Sequence, residues 1–219
     1  MLHPPETDSK TRQKLLLTAL RLFAQQGLDA VSMRTINTAS GTKNSGAVHY
    51  YFGNKQGVIA AIVAFITAMT DEHLTAVNLA AVKEAVANHQ VTLREVLRES
   101  FLPTFMLPDN YPWGQSAIKF LSRLMLEEDP KILDILNKHS EKGLSQLLEI
   151  LTVALPTIPE NILKLRLMFS MNNLVHGTAE VKTLKNTPLG DLSFHGADLL
   201  EHILDYLEAG LAAPVHRSG

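Results

Sequence analysis

The chain of 219 residues contains no cysteine. That absence removes disulfides, thiolate-ligated zinc, iron–sulfur clusters and thiol nucleophiles together, and it fits a reducing, cytoplasmic setting. Long apolar runs are missing as well. The greasiest stretch, residues 58–69, is shorter than the roughly 17 to 25 residues that span a bilayer, so it reads as a buried helix segment and no membrane is expected as a partner. Residues 1–6 lack the basic start and apolar core of a secretory signal, and export is not expected. The sequence holds no Gly-x-Ser-x-Gly, no phosphate-binding glycine loop and no His-Glu-x-x-His, so neither an enzyme nor a cofactor is expected. Its nine histidines are scattered. His176 and Glu180 stand four apart, as metal pairs can, but spacing offers no third ligand; His195 and His202 are two turns apart, where caps or solvent account for them. No metal site is expected.

What is present is a foldable, moderately charged chain, with 46% hydrophobic and 19% charged residues and a net charge of −2. The charge is unevenly spread. Residues 1–57 carry Lys10, Arg12, Lys14, Arg21, Arg34, Lys43 and Lys55 against Glu6, Asp8 and Asp29, a local balance of +4, which leaves −6 for the remainder. A basic front end on an acidic body is the pattern expected when one part meets phosphate and the other does not, since charges beyond a Debye length of about 8 to 10 Å are screened.

Helical periodicity dominates and strand alternation is hard to find, so the fold class is all-α. A first helix is expected over residues 9–26, with Leu15, Ala19, Leu22 and Phe23 on one face and Gly27 as its stop. Ser32 can cap a second helix, with Val31 and Ile36 as a hydrophobic staple, ending near Ser40 and Gly41. A third is expected from about Asn44 to Gly53. From Asn54 a long helix is expected to run to about Ala87, linking front to body. Thr92 and Glu95 form a capping box for a helix that Pro103 or Pro108 terminates. Residues 109–114 read as a loop, 115–126 as a helix, and Asp129-Pro130 as the cap and first position of a helix reaching about Ala154. Residues 157–183 and 193–209 complete the set. The domains are expected at 1–57 and 58–219.

A helix-turn-helix needs a supporting helix, a short glycine-containing turn and a second helix whose start meets base edges. Residues 36–51 fit. Lys43 offers a phosphate-seeking cation, Asn44 an amide suited to adenine and Ser45 a hydroxyl, while His49 and Tyr50 lie a turn further on. Arg34 can reach a guanine or a phosphate, and Lys55 with the free amides of the next helix can clamp a phosphate. Candidate DNA contacts are therefore Ser32, Arg34, Lys43, Asn44, Ser45, His49, Tyr50 and Lys55.

The segment from Arg12 to Phe23 with Gly27, then Ser32-Met-Arg-Thr-Ile36, Gly41 and Ala47-Val-His-Tyr-Tyr-Phe-Gly-Asn-Lys55, resembles the DNA-binding domain of the TetR family, the tetracycline-repressor-like regulators. The likeness covers about residues 10–60. It implies an all-α protomer of nine or so helices, an N-terminal three-helix DNA-binding domain, a C-terminal helical domain with an inducer pocket, a homodimer and usually repression. Asn37 and Ser40 stand where the family commonly has Ala, His49 where it has Tyr, and the turn through Thr42, Lys43 and Asn44 is one residue longer. Either Asn44 or Ser45 can be the base-facing side chain.

In the body, Phe101, Phe105, Trp113, Phe120, Met125, Met168, Met171, Asn172 and His176 form a candidate lining for a small, mostly apolar ligand; ordinary core packing accounts for them equally well. The helix over 157–183 is apolar around most of its circumference, and the last helix repeats the pattern. A two-fold seam is expected there, with Leu167, Leu174, Leu200, Ile203, Leu204 and Leu207 as candidates. The resulting expectation is a homodimeric regulator whose partners are a near-palindromic double-stranded DNA operator and a small-molecule effector. The competing readings are an all-helical binding module and an activator without an inducer.

Overall fold

The computed structural model describes residues 6–70, 78–194 and 196–215. The fold is all-α: among the described residues there are eleven α-helices and no strand beyond an isolated bridge between Thr187 and Gly190. The helices are α1 (Glu6–Gln26), α2 (Met33–Ala39), α3 (Ala47–Phe52), α4 (Lys55–Thr70), α5 (Leu79–Ala87), α6 (Leu93–Phe105), α7 (Leu107–Asn110), α8 (Gly114–Leu124), α9 (Pro130–Ala154), α10 (Glu160–Ala179) and α11 (Gly196–Ala212), with a 3-10 segment at Val181–Asn186. No helix of the described residues is long and apolar enough to cross a membrane.

Two helices more than the nine read from periodicity arise from two local causes. The helix expected to run to Ala87 is described only as far as Thr70, and α5 restarts behind Asn78, whose extended backbone and Oδ1, accepting from Ala81 N at 3.3 Å, make it an N-cap. Residues 71–77 of that expected helix lie outside the described residues, as does His195. The loop expected at 109–114 begins as the short helix α7. Pro103 sits inside α6 without ending it, and α10 stops at Ala179 rather than 183. The α9 start is as expected, with Asp129 Oδ1 accepting from Lys131 N at 2.9 Å.

The chain forms two compact units, Met1–Ala68 with Leu107–His139 and Met69–Met106 with Ser140–Gly219. In the first unit α8 packs on α1: Phe23 and Phe120, both fully buried, meet at 6.1 Å, and Arg123 Nε donates to Ala24 O at 3.0 Å. The second unit closes around Leu97, Phe101, Leu151, Leu163, Leu174, Leu204 and Leu211, all buried. Its last helix is tied down by arginines. Arg94 donates to Glu201 Oε2 and Asp205 Oδ1, both at 2.6 Å, and to Glu208 Oε2 at 3.3 Å, while Arg98 pairs with Glu201 Oε1. Arg166 Nη1 reaches Leu211 O at 2.8 Å and Ala213 O at 2.6 Å, a cation on the carbonyl end of α11.

Candidate nucleic-acid interface

The supporting helix α2 starts as its sequence demands. Ser32 Oγ accepts from Thr35 N at 3.0 Å, and the staple residues Val31 and Ile36 are both fully buried. Arg34 is exposed on its first turn. The helix ends at Ser40, and Gly41 takes a φ of +65° that opens the turn.

The turn is longer than expected. The third helix begins at Ala47, not Asn44, so Lys43, Asn44 and Ser45 lie in the turn instead of on the first helical residues. The cause is a set of side-chain hydrogen bonds that capture the backbone before a helix can form. Asn44 Oδ1 accepts from Gly46 N at 2.9 Å, the geometry of an Asx turn. Asn37, nearly buried on α2, donates from Nδ2 to Asn44 O at 2.9 Å and accepts from Thr42 Oγ1 at 3.2 Å. Ser40 Oγ donates to Asn37 O at 2.7 Å and lies 3.1 Å from Thr42 Oγ1. The two residues that depart from the family's alanines are thus the ones that hold the extra turn residue. Asn37, Ser40 and Thr42 were missed as site residues; the signal was their coincidence with the lengthened turn.

Ala47 and Val48 fasten α3 to the interior, while His49 is exposed and Tyr50 is 76% exposed. His49 Nδ1 lies 2.9 Å from Gly53 O. An open groove is bordered by Lys14, Lys43, Asn44 and Tyr50, so α1 contributes a cation to this surface that the sequence reading did not assign. Arg12 of α1 stands 5.3 Å from the centroid of the Phe52 ring.

The segment after α3 is sterically determined. Gly53 adopts φ +74° at the end of the helix. Asn54 Oδ1 accepts from Gly57 N at 2.8 Å, capping α4 and leaving Lys55 on its first turn. A Cβ on Gly57 would lie 1.9 Å from the Phe52 carbonyl oxygen, so only glycine lets α3 and α4 meet this closely. The eight candidate DNA contacts fall accordingly: Ser32 is an exposed cap, Arg34 exposed on α2, Lys43, Asn44 and Ser45 exposed in the turn, His49 and Tyr50 exposed on α3, and Lys55 half-buried on α4.

The candidate ligand residues are divided between the two units. Trp113, Phe120 and Met125 belong to the first unit, where Trp113 stacks on Tyr111 at 4.6 Å and meets Phe65 at 4.7 Å, Phe120 is core, and Met125 caps the end of α8. In the second unit Phe101 and Phe105 are buried core, Met171 packs against that core, His176 is half-buried, and Met168 and Asn172 are exposed. None of these six lines the cavity that the second unit contains. The seam candidates also face inward: Leu167, Leu174, Leu200, Leu204 and Leu207 are buried within the protomer's own core and Ile203 packs against it. An apolar residue on a helix that is apolar all round can occupy either face, and these took the inner one. The outward apolar side chains of the same helices are Leu165 (50% exposed), Met168, Phe169 (56%) and Tyr206 (65%). No cluster able to hold a metal occurs among the described residues.

A capped helix, a glycine turn and a second helix with a buried inner and an exposed outer face define a helix-turn-helix DNA-binding protein. Comparison with known families agrees: the family model described as bacterial regulatory proteins, tetR family, matches residues 15–62, and that described as the tetracyclin repressor-like C-terminal domain matches residues 100–210. The chain belongs to the TetR family of transcriptional regulators. A search of curated proteins finds no match. Among solved structures the chain is similar to the fatty acid degradation regulator FadR from Bacillus halodurans, at 14% identity over 99% of this chain and 100% of that one, with a TM-score of 0.64. It is also similar to Salmonella enterica GusR, at 16% identity over 96% and 98% with a TM-score of 0.63. NalD, the secondary repressor of the MexAB-OprM multidrug efflux pump in Pseudomonas aeruginosa, aligns at 19% identity over 94% and 97% with a TM-score of 0.55.

Proposed function

We propose that this TetR-family regulator is a homodimeric repressor that a small, mostly apolar effector releases from a near-palindromic operator. The observation that carries the DNA half is the outward set of Arg34, Lys43, Asn44, Ser45, His49 and Tyr50 on a front segment of charge +4. It joins cations for phosphate to amide, hydroxyl and imidazole groups able to read base edges. The dimer half is supported by Leu165, Met168, Phe169 and Tyr206, large apolar side chains left in water on two helices of the second unit. In a dimer the two α3 helices enter successive major grooves, about 34 to 36 Å apart. An effector releases the operator only by binding the non-binding form more tightly, by about 1.4 kcal/mol for each tenfold loss of DNA affinity.

Selection of bound fragments from genomic DNA, followed by a salt titration, tests this. A recurrent near-palindrome is expected, with log affinity falling linearly against log salt. Lys55→Ala weakens all sequences alike, while Arg34→Ala or Asn44→Ala also alters preference. Scattering reports a dimer at micromolar concentration, and Phe169→Glu shifts it toward the protomer. Fragments without sequence preference or salt slope favour a helical binding module. An operator that responds to no metabolite in a release screen favours a regulator without inducer.

A further inference from the structure

The second unit encloses a half-open cavity of about 390 Å³, between α5, α6 and α9, that the sequence reading did not locate. Its size falls in the range of about 300 to 1,000 Å³ found for small-ligand sites. Leu79, Val82, Val91, Val96, Leu147 and Ile150 give it apolar walls. Its polar groups are Glu95, Glu99, Ser100 and Gln146, and their bonding is one-sided. Glu95 is held as an acceptor by Thr92 N at 2.7 Å and Thr92 Oγ1 at 2.8 Å. Glu99 follows one helical turn later, adding a second carboxylate to the same rim. Ser100 spends its hydroxyl proton on Val96 O at 2.7 Å, leaving lone pairs toward the cavity side of α6. Gln146 Oε1 is buried with no hydrogen-bond partner. On α5 and α6 the cations are committed elsewhere, Lys83 to Glu149, Arg94 to Glu201, Asp205 and Glu208, and Arg98 to Glu201, and no Lys or Arg of α5, α6 or α9 lines the cavity.

An apolar chamber with two carboxylates at its rim and an unfilled buried acceptor lacks what a cationic donor supplies. We infer that this cavity binds a predominantly apolar molecule bearing a protonated amine, whose ammonium group faces Glu99 and Glu95 and donates to Gln146 Oε1 while its hydrocarbon lies along Val82, Leu147 and Ile150. An acid of the same shape is rejected, because its carboxylate would be set against two others. The inference deepens the effector half of the proposed function, and its regulatory meaning rests on that reading; the binding itself does not.

Calorimetry on the full chain without DNA, at neutral pH and below micelle-forming concentrations, tests it with three probes of one shape: decylammonium, decanol and decanoate. Decylammonium is expected to bind at least about tenfold more tightly than decanol, the counterpart of about 1.4 kcal/mol, and decanoate more weakly than either. Glu99→Gln, an exposed position that leaves the core intact, is expected to remove most of the preference for decylammonium over decanol. Gln146→Leu lowers decylammonium affinity by more than decanol affinity, since the ammonium donates a charge-assisted hydrogen bond to Oε1 and the hydroxyl only a neutral one. Val82→Trp fills the chamber and abolishes all binding; circular dichroism establishes that this variant folds. Decanoate binding as tightly as decylammonium, an unchanged preference in Glu99→Gln, or undiminished binding in folded Val82→Trp overturns the inference. Probes that bind in the expected order yet leave operator affinity unchanged uphold the site and instead remove the effector-release reading.

Discussion

Residues 32–57 of the first unit and residues 92–106 and 140–211 of the second are both largely helical, but their shapes are held by different interactions. In the first, the decisive contacts are local and neutral: Asn37 reaches Asn44, seven residues on, Ser32 caps Thr35, and Gly57 makes room for the Phe52 carbonyl. In the second, Arg94 reaches across more than a hundred residues to Glu201, Asp205 and Glu208, and Arg166 closes the end of α11. A surface that must present a fixed set of groups to DNA is built from backbone geometry, which tolerates little substitution. The second unit, where the proposed effector binds, is joined by exposed ion pairs, each weak alone and easily rearranged.

Glycine substitution gives the largest expected contrast. Gly57→Ala forces a Cβ against backbone oxygen at 1.9 Å, and the backbone of α3 or α4 must move. A loss of about 3 kcal/mol in urea unfolding is expected, together with loss of operator binding. Gly177 lies within α10 and a Cβ there meets nothing within 4 Å. Gly177→Ala is expected to stabilise by about 0.5 to 1 kcal/mol through helix propensity. Equal effects at the two positions would dissolve the contrast.

A smaller effect is expected at Asn37. Restoring the family's usual alanine, Asn37→Ala, leaves the Asn44 carbonyl without its side-chain donor and removes the amide oxygen that accepts from Thr42, which keeps the Asn37 carbonyl and Ser40 Oγ as neighbours. A loss of about 1 to 2 kcal/mol in stability is expected. Because Lys43, Asn44 and Ser45 ride on that turn, sequence discrimination should fall by more than overall affinity for mixed DNA. A uniform loss on all sequences would show Asn37 to be a plain core residue.

The same contrast explains what could be read before coordinates. The Ser32 cap, the Val31 and Ile36 staple, and the stops at Gly27 and Gly53 depend on residues within a few positions of one another, so pattern alone located them and the family. Pattern starts α3 at Asn44, three residues before its observed start at Ala47, because the delay depends on the Asn37 side chain of the preceding helix. The break before α5 left no trace in periodicity, since the sequence stays apolar on both sides of Asn78. On α10, apolar residues surround the helix, and pattern could not choose which of them face inward; Leu167 and Leu174 did, Leu165 and Phe169 did not. The cavity has no sequence signature because it is closed by α9, far along the chain from the consecutive helices α5 and α6, and its rim, Glu95 and Glu99, reads as ordinary solvated charge.

The smallest expected effect concerns acid. Hydrogen bonding from Arg94, with the added charge of Arg98, holds the Glu201 carboxyl below the ordinary glutamate range despite some desolvation, and the Thr92 amide and hydroxyl do the same for Glu95. A carboxyl whose folded-state pKa is depressed contributes stability that is complete above its unfolded value and is lost as pH falls through the folded one. The α6–α11 contact should therefore loosen below the ordinary glutamate range. The amide, hydroxyl and glycine contacts of residues 32–57 do not titrate and give that segment no matching loss. Hydrogen exchange followed from neutral to acid pH is expected to show protection falling in α6 and α11 before α2 and α3. In Glu201→Gln the acid step should shrink, with protection already lower at neutral pH, since the neutral amide keeps a hydrogen bond to Arg94 but loses the charge attraction. An acid step of unchanged size in Glu201→Gln would mean that other carboxyls, not the arginine clamp, set the pH response of the second unit.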